Sequence, residues 1–198
     1  ENRVSGRDSK ESARVLAVCL SPIKGVSKES QDEIVLIDDY GVDGDAHAGK
    51  WHRQVSLLSK SSIDYMRERG AQVGNGSFGE NIVIEGLEVS GLELGSIVYI
   101  GEKVALELTQ VGKECHELCA IGRSVGECIM PSRGVFCRVL KGGKIRPGDS
   151  IEIEQPPSST ESRQSPSPVE GERSPSPVEG ERSPSPVEGE RSPSNTEV

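Results

Sequence analysis

Residues 96–111 read SIVYIGEKVALELTQV. From Val104 onward, Val, Leu and Leu alternate with Ala, Glu and Thr, which is the period of two expected of a strand with one buried face. The run at 96–100 is rich in β-branched and aromatic residues, and Gly101 stands where the chain must turn, so the stretch reads as two strands joined by a tight connection. Working outward, Arg14 to Leu20, Glu33 to Asp38, Gln54 to Leu58, Asn81 to Glu85, Val135 to Leu140 and Ser150 to Glu154 read the same way. Glycines at 86, 91, 95, 101, 142, 143 and 148 punctuate the set. Many short strands with glycine turns predict a mainly β fold, a closed or nearly closed β-barrel, because closure removes exposed strand edges. One segment breaks the alternation: Ser59 is placed to cap a helix from Lys60 to Arg69 that presents Ile63, Tyr65 and Met66 to one side and stops at Gly70. A second short helical turn is expected over Glu114 to Ile121. A parallel α/β architecture lacks the helices it would need.

The 198 residues carry a net charge of -9, with two Phe, three Tyr and one Trp. That thin apolar content is concentrated before Gln155. The remainder, 155–198, holds nine of the twelve prolines and no aromatic residue, and contains SPSPVEGER three times in succession, at 165–173, 174–182 and 183–191. One Val per nine residues gives a repeat no stripe with which to stack on its neighbour, so the tail is expected to be a disordered, solvated segment, with docking of a protein partner as the alternative. Residues 1–12, ENRVSGRDSKES, are similarly polar and expected to fray. The folding unit is therefore 13–154, of ordinary size for one domain. With four Arg and eight Glu in the tail, out of 23 basic and 32 acidic residues, the rest has 19 basic and 24 acidic and a net charge of -5. This disfavours nucleic acid as a partner. No apolar run is long enough to span a bilayer, no leader opens the chain, and the five cysteines are odd in number, which together predict a soluble cytoplasmic protein with reduced thiols and no membrane partner.

All three histidines fall in two polar stretches. The first, YGVDGDAHAGKWHRQ at 40–54, combines turn-permitting Gly41, Gly44 and Gly49 with Asp43, Asp45, His47, Lys50, His52 and Arg53. Lys50 and Arg53 suit a phosphate, and His47 or His52 suits proton donation or relay. A hairpin loop with Asx-turns and surface histidines is the plainer reading of the same residues. The second, TQVGKECHELC at 109–119, places Cys115 beside Lys113 and His116, whose positive charge favours the thiolate. Cys115, His116, Cys119 and Cys128 also have the ligand types of a zinc or iron-sulfur site, although C-x3-C-x8-C is a loose spacing for one. Cys19 and Cys137 lie in apolar strand patterns and read as core residues. A third piece, GSFGEN at 76–81, offers Glu80 and Asn81 either to the edge of a heterocycle or to neighbouring backbone.

Taken together and in this order, GVDGDAHAG, GSFGENI and TQVGKEC, followed by KGGKIRPGDSIEI, resemble the MOSC domain family, named for its likeness to the C-terminal domain of molybdenum cofactor sulfurases. GKECHELCAI and GECIMPSRGVF are similar to the small stand-alone bacterial members. The resemblance spans about Arg14 to Glu154. It implies a MOSC-type β-barrel and binding of molybdenum cofactor (molybdopterin), with the family's functional cysteine falling on Cys115 as molybdenum ligand or as persulfide sulfur carrier. His47 or His52 would then manage the proton, and Gly44, Asp45, Lys50, Arg53, Glu80, Asn81 and Lys113 would hold the cofactor. The implied activity is cofactor sulfur handling or delivery, or reduction of N-hydroxylated compounds, with cofactor biosynthetic or acceptor enzymes as partners; pyridoxal phosphate is associated only at the level of the family. The alternative is a non-enzymatic zinc or iron adaptor module built on the Cys/His cluster.

Overall fold

The computed structural model describes residues 12–114 and 119–157. Contacts divide the chain after Ser158, and every described residue belongs to the first of the two units.

Eleven strands form among the described residues. The main sheet runs, edge to edge, β11 (Ile151–Glu154), β7 (Ile97–Ile100), β8 (Val104–Val111), β9 (Val135–Lys141), β5 (Val55–Ser59), β6 (Ile82–Glu85), β1 (Arg14–Leu20) and β2 (Glu29–Gln31). The opening pair, β7 and β8, is the antiparallel hairpin expected around Gly101. The sheet curls until β1 meets the residues leading into β11: Arg14 bridges Ser150, the Val15 N–H donates to the Asp149 carbonyl at 2.9 Å, and the Ile151 N–H donates to the Ala13 carbonyl at 2.9 Å. The barrel expected from the glycine-punctuated strands is thus present, since curling pairs strand edges that would otherwise face water. A second sheet, β10 (Gly143–Ile145), β3 (Ile34–Ile37) and β4 (Gly41–Val42), is antiparallel throughout and is joined to β9 by the Asp39 N–H to the Val139 carbonyl, 3.0 Å.

One neighbour pair departs from the antiparallel pattern. β5 and β6 are parallel, with Leu57 opposite Ile82 and Ser59 opposite Ile84. A parallel pair needs a crossover, and α1 (Lys60–Glu68) provides it. The crossover explains why β5 is buried along its whole length. Val55 and Leu57 face the barrel interior with Val18, Ile82, Ile84 and Leu106, whereas Leu58 joins Ala17, Cys19 and Val83 under Ile63 and Met66 of α1. Strands covered on both faces read as continuous apolar runs. Truncating Ile63 or Met66 to Ala would remove contacts on the outer layer and cost about 2–5 kcal/mol.

Two expectations about helices are corrected. Ser59 occupies the N-cap position of α1, but its side chain makes no capping hydrogen bond. Its hydroxyl instead donates to Glu88 Oε1 at 3.0 Å and accepts the Val89 N–H at 2.8 Å. This ties β5 to a 3-10 turn at Val89–Gly91, where two buried backbone and side-chain groups would otherwise lack partners. The second helix, α2, covers Ala120–Val125; of the turn expected over Glu114 to Ile121 it includes Ala120 and Ile121 but neither Glu114 nor Cys119. Glu114 lies outside any helix, residues 115–118 lie outside the described residues, and Cys119 takes the N-cap position. A third helical segment, α3 (Met130–Arg133), follows with Pro131 in its first turn, where the missing N–H is harmless.

Candidate functional site

The loop between β4 and β5 is organised around Asp45. Its carboxylate is almost wholly buried and pairs with the equally buried ammonium of Lys28. Asp45 Oδ2 also accepts the Ser21 N–H and the Asn81 side-chain amide, each at 3.1 Å, while Oδ1 accepts the His47 N–H at 2.9 Å. Burial pushes the Asp45 carboxyl upward, but Lys28 and the backbone donors outweigh it and hold it below its ordinary value. Four donors on one carboxylate are what a buried charge requires. The Asx-turn expected of this loop is therefore present, and His47 Nδ1 lies 3.4 Å from Asp45 Oδ1. Burial, followed by the positive charge of Lys28, lowers the imidazole's affinity for a proton; Asp45 opposes both.

Asn81 extends the same network. Its amide donates to the Cys19 carbonyl at 3.1 Å as well as to Asp45, and its oxygen accepts from the Ser56 N–H at 3.2 Å and hydroxyl at 3.1 Å. Glu80, next in the chain, accepts the Gly76 N–H at 2.6 Å and the Phe78 N–H at 2.9 Å. The Gly76–Asn81 turn is thereby folded around its own carboxylate. Gly76 sits at φ +82°, and a Cβ there would lie 2.1 Å from the Lys28 carbonyl oxygen, so only glycine fits. Both members of the expected heterocycle-edge pair are buried and engaged with neighbouring groups.

Two cavities open beside this framework. The first, about 370 Å³, is bordered by His47, Trp51, Arg53, Phe78, Asn81 and Phe136 together with Lys113, Cys119, Ile121 and Cys128. The second, about 620 Å³, is bordered by Arg53, Gln110, Gly112, Lys113, Glu114 and Pro131. Arg53 and Lys113 are common to both. The Arg53 guanidinium lies 4.8 Å from the Trp51 ring centroid and 5.6 Å from that of Phe136. Among the described residues its buried Nε has no hydrogen-bond partner. Lys113 is positioned by its backbone, whose N–H donates to the Met130 carbonyl at 3.0 Å. The preceding Gly112, at φ +79°, approaches Pro131 so closely that a Cβ would lie 2.2 Å from the Pro131 carbonyl oxygen.

The remaining sequence-predicted residues are distributed as follows. Gly44 and Lys50 are exposed and border neither cavity. His52 also borders neither; its Nε2 is 2.9 Å from Gln110 Oε1, and the Gln110 amide donates to the Gly112 carbonyl at 2.6 Å, so His52 braces the wall of the second cavity. Cys115 and His116 lie outside the described residues. Cys119 is exposed and Cys128 half-buried, both on the first cavity, and among the described residues no three His, Cys, Asp or Glu side chains are grouped to hold a metal ion. Cys19 and Cys137 are buried, and desolvation raises both thiols. No described helix is long and apolar enough to cross a membrane. Lys28 and Trp51 escaped the sequence reading: a lysine in a polar loop carries no signal of burial, and the only tryptophan lay inside a motif read for its charges.

A family model described as the MOSC domain matches residues 44–152, more than half of the chain. The chain belongs to the MOSC domain family. Solved structures similar to this chain include the YuaD protein from Bacillus subtilis, at 19% identity and TM-score 0.61, with 72% of this chain and 95% of that one covered. YiiM from Geobacillus stearothermophilus matches at 19% identity and TM-score 0.54, over 72% of this chain and 75% of that one. YiiM from Escherichia coli matches at 20% and 0.52, over 73% and 71%. At these identities the likeness is one of fold. None of the curated proteins matches this MOSC sequence.

Proposed function

We propose that this MOSC domain binds molybdenum cofactor at the first cavity, with the Cys115 thiolate as protein ligand to the metal or as a persulfide sulfur carrier. The observation that carries the reading is the Arg53 guanidinium, which lies over the rings of Trp51 and Phe136 with its Nε buried and, among the described residues, without a hydrogen-bond partner, on the border of a cavity large enough for a small molecule. Pockets of roughly 300–1,000 Å³ hold ligands of this class. The donor set fits the cofactor: Arg53 and Lys113 suit its phosphate, the rings of Trp51, Phe78 and Phe136 suit a planar heterocycle, and cysteine sulfur suits molybdenum. Cys115 stands two residues after Lys113 and four before Cys119, both of which border this cavity.

When bound, the cofactor would supply oxygen-atom transfer at molybdenum. The protein's part is to bind and orient. Asp45 and Asn81 set the wall, and Glu80 holds the turn that carries Phe78. Because His47 Nδ1 faces Asp45, Nε2 is the nitrogen left to hold or pass a proton at the cavity. A second reading, a structural zinc or iron site of Cys115, His116, Cys119 and Cys128, draws on Cys119 and Cys128 sharing the cavity.

Metal analysis after anaerobic purification from cells that make the cofactor separates these readings. Cofactor binding expects molybdenum near one per chain in the parent and its loss in Cys115→Ser with the fold intact. Absence of molybdenum counts against the ligand role, absence of cyanide-releasable sulfur counts against the carrier role, and stoichiometric zinc or iron supports the module.

A further inference from the structure

Arg53 borders two cavities, and the proposed function uses one of them. We propose that the second cavity, on the Gln110–Glu114 side of Arg53, is a binding site for an oxyanion group of a small molecule, a carboxylate or a phosphate, which the Arg53 guanidinium takes when no phosphate in the first cavity engages it. The argument begins with what Arg53 lacks. A partly buried guanidinium in a folded protein is normally met by a carboxylate, because desolvating a charge without a counter-charge is unfavourable. Here the side chain lies over two ring faces, and among the described residues its enclosed Nε has no hydrogen-bond partner and its guanidinium no ion pair. The terminal Nη groups are the donors that remain, and they form the planar fork that matches an oxyanion in a two-point contact.

The floor of the cavity is prepared to keep that fork in place. Gln110 is fixed by His52 and by the Gly112 carbonyl, so its amide is not a competing guest for Arg53. Gly112 is locked against Pro131, and its N–H donates to the Gly134 carbonyl at 2.7 Å, which sets the path of the chain into Lys113. Glu114 is the single acidic residue on this cavity among the described residues, and it is exposed. It would oppose an anion, and that opposition provides the handle for a test.

The only tryptophan in the chain, Trp51, is stacked on Arg53 and serves as the reporter. The folded protein is titrated with inorganic phosphate, and separately with acetate, at constant ionic strength, following Trp51 emission. Saturable binding near one anion per chain is expected. Glu114→Gln, at an exposed residue of the second cavity alone, is expected to tighten it roughly threefold, the effect of removing one unit charge a few ångströms away in a water-rich medium. Val26→Asp, at an exposed residue of the first cavity alone, is expected to leave it unchanged. Phosphate and acetate both binding marks a general oxyanion site; one alone identifies the source. Non-saturating emission overturns the proposal, as does weakening by Val26→Asp with no response to Glu114→Gln, which would move the anion to the first cavity. Molybdenum content is measured independently, so failure here leaves the cofactor reading standing.

Discussion

The Lys28 ammonium rests on the Asp45 carboxylate with both side chains almost fully removed from water. Lys28 lies on the loop leading into β2, and Asp45 lies in the loop that carries His47 and leads toward Arg53. The pair therefore joins two walls of the first cavity through one interaction that cannot be solvated if broken. Lys28→Met leaves Asp45 buried without its counter-charge and is expected to lower unfolding free energy by about 3–5 kcal/mol in urea titration. Adding Asp45→Asn, which keeps an acceptor oxygen without the charge, should recover part of that loss. Equal stability of parent and Lys28→Met would contradict the assigned role.

Glu80 gives stability a pH dependence of definite sign. Burial pushes its carboxyl up to about 7 from an ordinary 4.5, against the backbone donors, including those of Gly76 and Phe78, that favour the ionised form. A carboxyl raised by folding contributes stability that is complete below pH 4.5 and lost as pH rises through about 7. The full swing is at most about 3 kcal/mol. His47, whose proton affinity is lowered, works in the opposite direction over part of the same range, so the comparison with Glu80→Gln isolates the glutamate. The parent should lose stability relative to that variant between pH 5 and pH 8 in urea titrations; parallel curves would show that Glu80 does not titrate there.

Arg53→Gln keeps a planar polar group but removes the charge. Stacking on Trp51 and Phe136 weakens, at a cost of about 1 kcal/mol, while Trp51 emission shifts. Molybdenum retention should fall much further than stability does. A variant that retains the parent's molybdenum would remove Arg53 from the proposed cofactor contacts.

Cys119 sits exposed at the N-cap of α2. Serine is a better N-cap than cysteine, so Cys119→Ser should leave thermal stability unchanged or raise it by up to about 1 kcal/mol. Unfolding of this variant together with loss of bound zinc or iron would favour the metal module instead.

Gly112→Ala tests the strand end that delivers Lys113. The new methyl meets the Pro131 carbonyl at a backbone conformation unfavourable to any L side chain. A loss of about 2–4 kcal/mol is expected, seen as a lower urea midpoint. An unchanged midpoint would show that the approach to Pro131 relaxes without penalty.

Strand content was readable because alternation at 104–111 and the apolar runs at 14–20 and 81–85 encode burial directly. Both Arg14–Leu20 and Val104–Val111 coincide with β1 and β8 to the residue. The short strands β2, β4 and β10 were not readable, since two or three residues such as Gly41–Val42 carry no period. The parallel β5/β6 pair was also hidden: Ser59 has the chemistry of a helix cap, and only the approach of Glu88 and Val89 shows that its hydroxyl is used elsewhere. In the site, the charges of Arg53 and Lys113 and the bend at Gly76 were legible as residue types. Their sharing of cavities, and the engagement of Asp45, Glu80 and Asn81 within the framework, depend on contacts far apart in sequence.

The seam between Ala13–Val15 and Asp149–Ile151 has a consequence for biogenesis. Of the described strands, β1 is synthesised before all the others yet is among the last to acquire all its neighbours, since the segment that completes its pairing comes from the opposite end of the domain. Until then Val15 and Val18 await a complete interior, and nascent chains truncated before residue 148 should be sensitive to protease and prone to capture by chaperones.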